Sequence, residues 1–289
     1  MSSGAGLGEP GLGAARTGDP GIGEGITAAK PASTAGAGTG LPDPRKGLPR
    51  DSALLLEARG VTMRFGGVTA VQSVDLRLRE AELRCLIGPN GAGKSTFFKI
   101  LTGQLRPTEG TVLLRGRDVT GANPHEIARL GVGIKTQVPN VFDGLSVREN
   151  VFIGAGRLGS VRRARQAVER TLSRLQLEPI ADRIVGQLAH GQRQWVEIAT
   201  VLAQEPDLIL LDEPAAGMNH AEVLRTADLI REINRTQALV VVEHDMQFIR
   251  MIATTVTVFN QGGVLIEDEV GRVLADQRVR DVYLGRQAA

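Results

Sequence analysis

The stretch GPNGAGKST, residues 88–96, constrains this chain more than any other. It follows the apolar run LRCLIG (83–88) and opens KSTFFKILTG (94–103), which carries helical spacing and closes on Gly103. The order strand, glycine-rich turn, helix matches the phosphate-loop pattern Gly-x4-Gly-Lys-[Ser/Thr]. Glycines let a backbone wrap closely around a phosphate with its N–H groups pointing inward. On this reading Gly88, Pro89, Asn90, Gly91, Ala92 and Gly93 form the cradle, and Lys94 carries positive charge to the outer phosphates. Ser95 offers a hydroxyl to Mg²⁺, and Thr96 completes the run. A chance match is expected on the order of once per hundred chains of this length.

From Leu54 onward, strand and helix signals alternate. LLLEARGVTMRF (54–65) and VDLRLR (74–79) alternate like antiparallel strands, and GTVLLRG (110–116) is a short strand. Residues 147–178 carry one Arg-rich helical pattern. A helix over 190–204, a strand over 207–211, a helix over 221–235, a strand over 238–242 and a last helical pair follow. The expected fold is α/β: a mostly parallel core sheet with helices on both faces, an early antiparallel group and a helical insertion. No repeat of the whole pattern occurs, so the chain holds one nucleotide site's worth of sequence.

Two further strands end on chemistry. LILLDEP (208–214) delivers Asp212 and Glu213 to the edge where open α/β sheets bind ligands. Asp212 would hold Mg²⁺ through water, and Glu213 would act as general base on the attacking water. LVVVEH (239–244) brings His244 to the same edge, within reach of the terminal phosphate. Gln137, after GVGIKT, would complete the shell of Mg²⁺ and water. Phe65, before a Gly-Gly pair, either stacks on a purine or fills core.

Composition bounds the rest. Residues 1–50 are read as a disordered tail: the first forty hold 12 glycines and no apolar periodicity. They show neither the basic start nor the apolar core of a secretory signal. The single cysteine, Cys85, lies in an apolar run and reads as core, which fits a reducing compartment. No run approaches the roughly 18–20 apolar residues of a membrane span. A net charge of +2 does not point to nucleic acid. The arginines of the helical insertion (Arg157, Arg162, Arg163, Arg165, Arg170 and Arg174) form a solvated face or a surface for acidic groups or lipid headgroups.

The ordered set GPNGAGKST, Gln137, LAHGQ (188–192), LLDEP and His244 resembles the ATP-binding subunits of ABC transporters over about residues 54–285. The resemblance implies a P-loop ABC-type nucleotide-binding domain over 51–289, with an antiparallel β-subdomain and a helical subdomain at about 138–204. It implies ATP and Mg²⁺, and a dimer in which the phosphate loop of one subunit faces the signature of the other. Phe65 then corresponds to the adenine-stacking aromatic. Leu188, Ala189, His190, Gly191 and Gln192 correspond to the signature, usually spelled Leu-Ser-Gly-Gly-Gln. Ala189 lacks the usual hydroxyl, a loss of roughly 1 kcal/mol at an N-cap. The helix dipole and free N–H groups remain. AAGMN (215–219) corresponds to the loop crossing the interface, with Asn219 where Asp is usual.

PNVF after Gln137, EHDM at 243–246 and VRDVYLG at 279–285 resemble the importer branch for branched-chain amino acids, urea and small amides. HGQRQW and QVPNVF point to the urea-type members, with the branched-chain amino acid importers as the alternative. The implied partners are a second ATPase subunit, alike or different, two membrane permeases and, indirectly, a solute-binding protein. The implied place is the cytoplasmic face of a bacterial inner membrane. A soluble ABC ATPase of translation or DNA repair is the competing class. Such chains usually carry two nucleotide modules or a long coiled coil, and neither is present. A non-hydrolysing scaffold subunit is disfavoured by intact Lys94, Asp212, Glu213 and His244.

Overall fold

The computed structural model describes residues 54–137 and 140–284. The expected tail, 1–50, and residues 138–139 at the start of the expected helical subdomain lie outside the described residues. The first strands, β1 (Leu54–Phe65) and β2 (Val68–Arg79), form an antiparallel hairpin turned by Gly66 and Gly67. Strand β3 (Leu83–Ile87) is buried at all five positions, as a strand covered on both faces must be. Helix α1 (Lys94–Leu101) buries Phe97, Phe98, Ile100 and Leu101 against the sheets. Strands β4 (Glu109–Leu114) and β5 (Arg117–Asp118) extend the hairpin's sheet.

Helix α2 (Pro124–Arg129) starts on a capping box: Asn123 accepts from the Glu126 N–H, and Glu126 accepts from the Asn123 N–H. Strand β6 (Val132–Lys135) leads to Gln137. Helices α3 (Val147–Ala155), α4 (Val161–Arg174) and α5 (His190–Leu202) follow. Strand β7 (Leu208–Asp212), helix α6 (His220–Asn234), strand β8 (Ala238–Val242) and helix α7 (Met246–Ile252) complete the alternation. A hairpin of β9 (Thr255–Asn260) and β10 (Gly263–Glu269) precedes the closing helices α8 (Val270–Ala275) and α9 (Gln277–Leu284).

Two sheets result. One is antiparallel, in the order β2-β1-β4-β5; the other runs β10-β9-β3-β8-β7-β6 and is parallel except for β10. The α/β class, the parallel core and the antiparallel group are as the sequence led us to expect. Three elements of the site lie on neighbouring strands: Leu86 registers with Val242, and Val242 with Asp212. The loop after β3, the carboxylates after β7 and His244 after β8 therefore open on one sheet edge.

The single helical pattern expected over 147–178 is two helices. Gly159, at φ +74, breaks it between α3 and α4. The strands β5, β6, β9 and β10 and the helix α2 are additions to the sequence reading; each is seven residues or fewer, and β6 carries a glycine that blurs its pattern. The last helical pair expected after β8 is three helices, α7, α8 and α9, with the β9–β10 hairpin between the first two. Helix α4 turns Ala164, Ala167, Val168, Thr171 and Leu172 inward. Three of its arginines are engaged within the chain: Arg163 and Arg170 pair with Glu205, and Arg174 pairs with Glu232 and donates to the Glu232 carbonyl at 2.7 Å. Such surface pairs contribute little to stability. Cys85 is fully buried, and burial pushes its thiol well above the usual range. No helix among the described residues is long and apolar enough to cross a membrane.

Candidate functional site

The phosphate-loop stretch is built from backbone that excludes side chains. Gly88 has φ +147, and a Cβ there would stand 2.3 Å from the Phe259 carbonyl oxygen. Gly93, at φ +101, is the N-cap of α1, and a Cβ there would meet the Ala70 carbonyl oxygen at 2.4 Å. The hairpin of β1 and β2 is thus packed directly on the loop. The N-terminus of α1 has no side-chain cap and no acid in its first turn. Its free N–H groups and the positive end of the helix dipole suit a phosphate. Ser95 is exposed at that end, with Thr96 partly covered.

Lys94 folds back over the loop. Its Nζ donates to the carbonyls of Gly88 at 2.7 Å and Pro89 at 2.9 Å. Burial pushes the ammonium below lysine's usual range, while Glu213 and Asp212 pull it back up. These are weak holdings for a buried cation, and a phosphate is a stronger acceptor than two carbonyls. The glycine cradle, the uncapped helix and this ammonium together fit a nucleoside triphosphate.

Glu213 collects the catalytic candidates. Gln137 Nε2 donates to its Oε2 at 3.4 Å, and His244 Nδ1 lies 3.4 Å from its Oε1. Glu213 sits at φ +46, and its N–H donates to the Val242 carbonyl at 3.0 Å. The end of β8 thereby holds the end of β7 in a left-handed turn that aims the carboxylate outward. In Asp212, burial and then the adjacent Glu213 push the carboxyl up, opposed by Lys135, Lys99 and Lys94. Phe65 is 47% exposed at the tip of the β1–β2 hairpin, so the core-filling reading is withdrawn.

The structure does not bring residues 188–192 onto the loop of their own chain. Among the described residues, no hydrogen bond or ion pair joins 188–192 to 88–96. Ala189 caps α5 without a side-chain acceptor, while Gln192 accepts from the Ala189 N–H at 3.3 Å. Asn219 is the N-cap of α6, accepting from the Glu222 N–H at 3.0 Å, a duty asparagine performs as well as aspartate. Trp195 is core: its Nε1 donates to Thr226 at 2.9 Å, and the Arg225 guanidinium lies 4.2 Å from its ring centre.

Two residues here were missed in the sequence. Glu243, 2% exposed, accepts from the N–H groups of Ala215, His244 and Asp245 at 3.3, 3.0 and 3.4 Å. It ties the loop after Pro214 to the turn carrying His244. An acid directly before that histidine, at the end of a fully apolar strand, was the available signal. Tyr283, on α9, places its buried hydroxyl beside the backbone of Gly88. Burial pushes its ionisation up to about 12, with Gly88 opposing. It is the sole tyrosine, so ultraviolet difference titration should show one phenol ionising near pH 12. The neutral phenol stabilises the fold below tyrosine's usual 10, and that contribution is lost as pH rises from 10 to about 12. Ionisation near 10 in the folded chain would mean that α9 does not dock on the loop.

Residues 71–216 match the ABC transporter family model. The chain is 37% identical over 249 residues to the high-affinity branched-chain amino acid transport ATP-binding protein LivG of Salmonella typhimurium, covering 80% of this chain and 98% of LivG. It is 35% identical over 249 residues to BraF of Pseudomonas aeruginosa, named for the same transport, again covering 80% and 98%. Among solved structures it is similar to the dimeric bacterial ABC transporter cassette MJ0796 (TM-score 0.66, 26% identity, 75% of this chain and 99% of that one).

Proposed function

The chain belongs to the ABC transporter family as an ATP-hydrolysing importer subunit, and we propose that it drives uptake of branched-chain amino acids or close kin. The observation that carries the substrate is the identity to LivG and BraF along nearly their whole length. The urea reading rests on two short stretches, one running through residues 138–139, which lie outside the described residues. Against 249 aligned residues it takes second place.

In this proposal Lys94 leaves the Gly88 and Pro89 carbonyls for the outer phosphates of ATP. The N–H groups of residues 88–96 hold the remaining phosphate oxygens, and Phe65 stacks on the base. Ser95, Gln137 and Asp212 would hold Mg²⁺, which supplies charge neutralisation on the phosphates. Glu213 takes the proton of the attacking water, with Gln137 and His244 orienting it. Leu188 to Gln192 serve the ATP of a second ATPase subunit, since they stand apart from their own loop. Two permeases and a solute-binding protein complete the machine at the cytoplasmic face of the membrane, and the permeases and binding protein select the solute.

The test is uptake in a strain lacking this gene. The intact gene should restore uptake of labelled leucine, and Lys94→Ala should leave it at background because nucleotide is no longer bound. Restored urea uptake without leucine uptake would return the proposal to the urea branch.

A further inference from the structure

We propose that His190 is a positioning residue: its imidazole ties residues 188–192 to the loop 215–219 of the same chain and so sets the signature in place without the usual serine. The inference rests on the reading that 188–192 serves a partner's ATP. Four contacts carry it. His190 Nε2 lies 3.1 Å from the Ala216 carbonyl oxygen. A carbonyl only accepts, so Nε2 carries the proton and donates. The seat beneath the ring is bare backbone: a Cβ on Gly217 would stand 3.2 Å from Nε2 and 3.4 Å from Cδ2. One residue on, Gly191 packs on Glu222, and a Cβ there would stand 2.4 Å from the Glu222 carboxyl carbon. Glu222 is itself fixed, accepting from the Asn219 N–H at 3.0 Å.

Further along, Trp195 bonds Thr226 and Arg225 covers its ring. The head of α5 is therefore docked along the first turns of α6, and His190 makes the outermost contact. Ala189 has no side-chain acceptor for the free N–H groups in the first turn of α5. A glycine at 190, the usual letter there, would supply no contact to Ala216. The two departures from the usual spelling thus compensate: one removes a polar group, and the next adds a tether.

The experiment compares His190→Ala, His190→Phe and His190→Gln with the parent chain. Trp195 is the only tryptophan, so its quenching by acrylamide without nucleotide reports the docking of α5 directly. Alanine and phenylalanine should raise that quenching and lower kcat for ATP about five- to tenfold, the size expected for one lost hydrogen bond. The nucleotide affinity of the monomer should not change, because among the described residues no hydrogen bond or ion pair joins 188–192 to their own loop. Glutamine carries an N–H at similar reach and should restore both readouts. Parent-like quenching in alanine and phenylalanine would overturn the tether, whatever the turnover. Parent-like turnover with raised quenching would overturn its positioning role. If the parent neither hydrolyses ATP nor dimerises with it, the functional reading falls, and quenching still decides the tether.

Discussion

Glu213→Gln should bind ATP as the parent does, lose turnover by roughly 10²–10⁴-fold and accumulate as an ATP-bound dimer. That loss is the usual share of a positioned proton acceptor. Glutamine keeps the length and an oxygen for the Gln137 contact at 3.4 Å, so geometry survives while basicity does not. The left-handed backbone at φ +46 strains Glu and Gln alike, so the melting temperature should not move. Single-turnover kinetics and size-exclusion chromatography with ATP decide the matter. Turnover at the parent rate would remove Glu213 as the base and leave the phosphate-loop proposal standing.

Lys135→Met should destabilise the chain by about 3–5 kcal/mol, the cost of leaving a buried charge without its partner. Lys135 on β6 and Glu197 on α5 lie 3.5 Å apart with side chains 3% and 4% exposed. Burial pushes the lysine down and the glutamate up, each opposed mainly by attraction to the other. In the variant that attraction is gone, so the Glu197 carboxyl rises further. A carboxyl raised in the fold stabilises it below glutamate's usual 4.5 and loses that contribution as pH rises through the folded value. The defect should therefore be largest at neutral pH and shrink on acidification. The double variant Lys135→Met/Glu197→Leu should recover most of the loss. Urea denaturation at two pH values reads all three. A single variant as stable as the parent at pH 7 would mean that water reaches the pair.

What was legible in the sequence was what local order determines. A strand, a glycine turn and a helix make residues 88–96 readable alone, and an apolar strand ending in Asp-Glu does the same for 212–213. Glu243 was not readable, because its three donors come from two loops that only the sheet brings together. Phe65 stood open between two readings because β1 and β2 shift register near it, so alternation no longer tells inside from outside. Arg170 and Arg174 look free in sequence because their partners Glu205 and Glu232 lie far along the chain. Substrate was the least legible, since short variant spellings pointed one way and whole-length identity another.

Helix α5 combines tightly packed positions with an exposed head. Nine of its 13 residues are buried, so substitution there disturbs packing against α3, α6 and the sheet. Ala189 and His190, at its head, are exposed, and rewriting them costs a hydrogen bond rather than a core. Those same two positions open the segment that serves the partner's ATP in the proposed dimer. Drift and tuning then fall on one spot. Two unlike subunits can diverge in how each serves the other's ATP while sharing an unaltered scaffold, so that paired sites become unequal by a change of two letters.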